Sequence, residues 1–105
     1  MVKRYQLALG EVETLLKENE RLLAAVMEKG RVLQDWGGQT SAKFADAAKH
    51  WDQASRKLQN MSPRPAEYFE ARYGLAFSLA KTGKKDDAVK VLRSTMTLSP
   101  AVGGP

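Results

Sequence analysis

Residues 69–102 read FEARYGLAFSLAKTGKKDDAVKVLRSTMTLSPAV, and their punctuation calls for a pair of antiparallel helices. Pro63 and Pro65 stand just upstream. They are compatible with a turn that leads into the first turn of a helix, where proline lacks only an amide that would have no partner anyway. The helix expected from about residue 66 runs to about Thr82. Gly83 then falls where a left-handed residue ends a helix, and Asp86 and Asp87 suit the positive N-terminal end of the next one, which closes near Pro100. The small residues Ala76 and Ala88 lie where the two helices would cross. Leu75, Ala76, Leu79, Gly83, Ala88 and Leu92 are therefore the expected packing positions of a hairpin over 66–100.

Working toward the N-terminus, Thr40 and Ser41 are candidate caps for a helix over 41–60. Its inner side carries Phe44, Ala47, Ala48, Trp51, Ala54, Ser55 and Leu58. Alanine lets helices approach closely, while the aromatic rings fill the larger gaps, a pattern suited to tight antiparallel packing. From Val2 to Asp35 there is no proline, and apolar residues recur every three or four positions. Asn19 and Gly30 alone break this stripe, and Gly37-Gly38 follows it as a stop signal. One long amphipathic helix over 2–35 is expected, roughly 50 Å in length at 1.5 Å per residue. A chain of 105 residues builds no core that long. Leu9, Val12, Leu16, Leu23 and Val26 are accordingly expected to meet another copy of the chain. Glu13 and Lys17 make a favourable pair on the outer side.

Composition excludes more than it selects. Apolar residues make up 43% and charged residues 28%, ordinary proportions for a folded domain, and the absence of cysteine removes disulfide frameworks and thiolate metal sites. Glu11 and Glu13 interrupt the first apolar stretch before a signal-peptide core could form. No uncharged run approaches the length of a bilayer-spanning helix, so the expected setting is cytoplasmic. The net charge of +5 is spread: residues 1–41 balance, and the excess is divided between 42–64 and 65–105. That distribution disfavours a nucleic-acid face. His50 is the sole histidine, and Glu18 with Glu20 or Asp86 with Asp87 do not share a helical face. Neither a histidine metal cluster nor a paired-carboxylate acid–base site follows. The glycine pairs lack a strand and a phosphate-binding lysine motif. No catalytic residue, cofactor or metal is expected, and the Asn60-Met61-Ser62 sequon reads as chance.

The spacing Arg72-x2-Leu75-Ala76-x2-Leu79, then Ala88-x3-Leu92, then Pro100, resembles the skeleton of the tetratricopeptide repeat family over about Phe69 to Val102. Arg72 and Lys85 stand where that family often has aromatics, and Ala76 where glycine is common. Ala47, Trp51 and Ala54 repeat the mutual spacing of Ala88, Leu92 and Thr95 at an offset of 41 residues, against a family period of about 34. The chain thus resembles one clear repeat preceded by a degenerate one, an all-α fold of about four helices with 101–105 as a mobile tail. What the resemblance implies is a non-enzymatic module that holds a protein or peptide on the inner surface of its first helices. Glu70, Tyr73, Phe77 and Lys81, spaced three or four apart, are the expected groove strip. A structural subunit that stacks on copies of itself is the alternative.

Overall fold

Asn19, the polar interruption of the N-terminal stripe, marks the place where that stripe divides. The structure is a computed structural model that describes residues 2–19, 23–61 and 65–98. The expected single helix over 2–35 is instead two, α1 (Val2–Glu18) and α2 (Leu23–Gly37), so the described residues form five helices where about four were expected. The reason is burial. A straight helix would leave most of its apolar stripe in water, whereas two antiparallel halves cover one another. Tyr5 near the start of α1 stacks on Trp36 near the end of α2, with ring centroids 6.0 Å apart and planes 14° from parallel. Farther along, Lys29 reaches Glu13 at 3.8 Å, the cross-helix partner of a glutamate expected to pair with Lys17.

The remaining helices are α3 (Ala42–Leu58), α4 (Ala66–Lys81) and α5 (Lys85–Leu98), and no strand occurs among the described residues. Ser41 does not cap α3 through its side chain; its backbone is already helical at φ −55° and ψ −29°. Pro65 is the residue that caps α4, just outside the first turn, with an extended backbone at ψ 159° and its carbonyl accepting the Tyr68 amide at 3.0 Å. Between α4 and α5 the chain makes a complete left-handed stop. Gly83 has φ 85°, the Lys84 amide donates to the Leu79 carbonyl at 2.9 Å, and the Gly83 amide donates to Ala80 at 3.2 Å. The expected end near Pro100 and the tail 101–105 lie outside the described residues.

Successive helices run antiparallel. His50 and Trp51 on α3 meet Val26 and Gly30 on α2, Phe44 and Trp51 meet Phe77 and Gly74 on α4, and Arg72 on α4 meets Thr95 on α5. Helices α2 and α4 therefore lie side by side in parallel, in direct contact, with α3 behind them. The core is built from Val26, Met27, Leu33, Ala47, Ala48, Trp51, Ala54, Ala71 and Leu75.

The residues expected at a contact between copies are used inside the chain. Val12 and Val26 are buried, and Leu9, Leu16 and Leu23 pack against the core. The folding back of α1 gives them an intrachain partner. Of the hairpin positions, Leu75, Ala76 and Ala88 are buried and Leu79 is packed against the core, but Leu92 is 38% exposed. The inward side of α5 is Ala88, Val91 and Thr95, one position out of phase with the expected leucine. Thr95 is fully buried there because its hydroxyl has partners: it donates to the Val91 carbonyl at 2.7 Å and accepts from Arg72 Nε at 3.1 Å.

Candidate functional site

The indole of Trp51 sits where α2, α3 and α4 converge, 1% exposed, and it fits only because two helices present no side chain to it. A Cβ on Gly30 would fall 2.6 Å from Trp51 Cζ3, and one on Gly74 would fall 2.6 Å from Nε1, both inside atomic contact. Gly30, a break in the stripe by sequence, is thus a packing position. Gly37 works in the same way: a Cβ there would lie 2.6 Å from Phe44 Cδ1, and its φ is not left-handed. The buried indole N–H is satisfied, donating to Gln34 Oε1 at 3.1 Å.

Above this ring opens a cleft of about 450 Å³ lined by Arg31 and Gln34 from α2, Glu70, Tyr73, Gly74 and Phe77 from α4, and Trp51 beneath. Arg31 and Glu70 bridge the two helices at one end. Nε donates to Oε2 at 2.8 Å and Nη2 to Oε1 at 2.9 Å, a two-pronged pair across 39 residues of sequence. The hydrogen bonds from Arg31 hold the Glu70 carboxyl below its ordinary range, and the same contact raises the guanidinium. Both side chains are more than 40% exposed, so the pair orients the cleft edge and adds at most about 1 kcal/mol to stability.

Tyr73 and Phe77 form the apolar wall, 37% and 43% exposed. Phe77 keeps its position by resting edge-on against Phe44, centroids 5.9 Å apart, with the Lys81 ammonium 5.4 Å from its ring centroid. Three of the four strip residues read from the sequence line the cleft, and Lys81 stands beyond it, against Phe77. Arg31, Gln34 and Trp51 complete the cleft and escaped sequence reading. Nothing local in α2 signals that Arg31 faces a glutamate on a helix two elements away.

A second hollow of about 440 Å³ lies on the other side of α2, bordered by Leu9, Glu13, Lys29, Leu33, Lys43 and His50 among others. Two of its lysines are engaged: Lys29 with Glu13, and Lys43 with Asp46 at 3.6 Å and with the Trp36 ring, 4.1 Å from its centroid. His50 Nε2 shares a 2.7 Å hydrogen bond with the Val26 carbonyl, which makes the ring N–H the donor. Burial pushes its pKa down, with Lys29 and Lys57 adding to the effect and the Val26 bond opposing it. Among the described residues no group of three or more His, Cys, Asp or Glu side chains could hold a metal ion, and no helix is long and apolar enough to cross a membrane. No family model, curated protein or solved structure matches the chain.

Proposed function

We propose that this chain is a non-enzymatic protein-binding module of tetratricopeptide-like type, which holds a segment of a partner protein in the cleft between α2 and α4. The observation that carries the reading is the pair of exposed aromatic rings, Tyr73 and Phe77, that form the wall of a cleft bounded at one end by the Arg31–Glu70 bridge. Large aromatic side chains in such a setting are the residues that dominate protein-binding energetics. Phe77 loses little conformational freedom on binding, because it is already held by Phe44 and Lys81. Two features support the family resemblance: antiparallel hairpins whose first helices, α2 and α4, lie in parallel, and the Gly83 stop between α4 and α5. The ligand this chemistry fits is a peptide segment with at least one large apolar side chain for the Tyr73–Phe77 wall and a polar group for Gln34 or the bridge.

The test is selection from a random peptide library displayed on phage, followed by mapping of amide shifts with the selected peptide. Peptides sharing an apolar anchor are expected, with shifts at Arg31, Gln34, Tyr73 and Phe77. Tyr73→Ala with Phe77→Ala should weaken binding by tenfold or more, on the order of 1 to 2 kcal/mol per ring, while the helical circular dichroism signal persists. A selected peptide whose shifts map away from α2 and α4 would overturn the assignment.

A further inference from the structure

Among the described residues the helix stack ends in two uncovered faces, since α1 is in backbone contact with α2 alone and α5 with α4 alone. On the outer side of α1, Leu7 and Leu15 are 66% and 46% exposed, and Glu11 and Glu18 on the same side are exposed as well. On the outer side of α5, Val89, Leu92 and Met96 are exposed alongside Lys85 and Arg93. At 3.6 residues per turn each set falls within about 100° of helical arc, so each is one stripe. The α1 stripe carries acids among its leucines, and the α5 stripe carries bases among its apolar residues.

We propose that the α1 face of one copy of this chain docks antiparallel on the α5 face of another, so that copies join head to tail. Leu7 to Glu18 and Lys85 to Met96 span the same number of residues, roughly 16 Å at 1.5 Å per residue. Laid antiparallel, Leu7 meets Met96, Glu11 meets Leu92 and Arg93, Leu15 meets Val89, and Glu18 meets Lys85. Two of the contacts, Leu7 on Met96 and Leu15 on Val89, are then apolar on apolar, and Glu11 and Glu18 each have a base opposite or beside them. Laid parallel, Leu7 would oppose Lys85, Glu11 Val89, Leu15 Arg93 and Glu18 Met96, a mismatch at every step. Pairing α5 with another α5 would bring only bases together, so the charges disfavour that self-pairing.

A contact between different faces leaves one of each free in every dimer, so it propagates unless the rotation closes a ring. One helix on one helix is a small patch, below the roughly 1,200 Å² of total buried area typical of stable complexes, and the association is accordingly weak. Sedimentation equilibrium of the full chain from 10 µM to 1 mM is the experiment (both ends of that range on the order of what weak contacts need). The average mass of the parent should climb with concentration past that of a dimer. Leu15→Asp disables the α1 face and Met96→Asp the α5 face; both positions are exposed, so the fold is kept. Each variant alone should stay monomeric, and an equimolar mixture should form one capped dimer that grows no further. A parent that stays monomeric at 1 mM overturns the proposal, as does growth that survives either substitution or a mixture that forms nothing. These readouts are independent of Tyr73 and Phe77, so they fail or succeed apart from the cleft.

Discussion

Two helical glycines with opposite surroundings test how much the fold depends on close approach at Trp51. Gly10 is exposed in α1, and a Cβ there would meet nothing within 4 Å. Gly10→Ala should therefore raise stability by up to about 1 kcal/mol, the ordinary helix-propensity gain. Gly74 is buried, and its added methyl would drive into the indole. Gly74→Ala should lower stability by about 1 to 3 kcal/mol despite the same propensity gain, because the ring is wedged between the Gly74 and Gly30 backbones and tied by its N–H to Gln34, and moving it gives up both. Urea unfolding of both variants measures the pair, and equal signs would contradict the packing described here. His50 gives a third residue-level outcome. Its folded pKa is depressed below the ordinary 6.5, so the unfolded chain binds the proton more readily. Stability should be level above about pH 7 and fall as pH drops through 6.5 toward the folded value. His50→Gln, which keeps a donor for Val26, should flatten that slope; an unchanged slope would assign it to other groups.

At the scale of elements, what was legible in the sequence was what local chemistry determines. The 66–82 helix, the left-handed Gly83 and the alanine-lined α3 follow from spacing, small residues and turn chemistry, each of which acts within a few residues. The division of 2–35 into α1 and α2 was less visible, since periodicity continues across it in phase and only Asn19 interrupts it. Whether such a stripe stays straight or folds back depends on what each half can bury against, which is a property of the whole chain. The same reasoning accounts for Leu92. Its spacing from Ala88 suits the interior, yet the rotation of α5 on α4 is fixed by Arg72, whose donation to Thr95 Oγ1 and, at 2.6 Å, to Ser94 Oγ turns that side of α5 inward. The cleft divided along this line too. Glu70, Tyr73 and Phe77 share one helix and were readable as a strip, while Arg31, Gln34 and Trp51 arrive from two other helices.

For the whole molecule, stacking in one direction implies stability that is graded along the stack. Helices α3 and α4 have neighbours on both sides, whereas α1 and α5 each have one, and the described outer faces of those two end helices expose Leu7, Leu15, Val89, Leu92 and Met96. Where the two end elements each contact a single neighbour, the ends open without the centre. α1 is held by Val12, by Leu9 and Leu16 packed against the core, by the Tyr5–Trp36 stack and by the half-exposed Glu13–Lys29 pair. α3 contributes Trp51, Ala47 and Ala54, all essentially buried. Amide hydrogen exchange, followed residue by residue at low protein concentration, should give the slowest rates in α3 and the middle of α4. Rates in α1 and α5 should be faster by about 10- to 100-fold, equivalent to roughly 1.4 to 2.8 kcal/mol of easier opening. Tyr5→Ala removes one face of the ring stack, so it should speed exchange in α1 several-fold further and leave α4 and α5 unchanged. Uniform rates through all five helices, or a Tyr5→Ala effect that reaches α5, would mean that the chain unfolds as one cooperative unit despite its linear arrangement of neighbours.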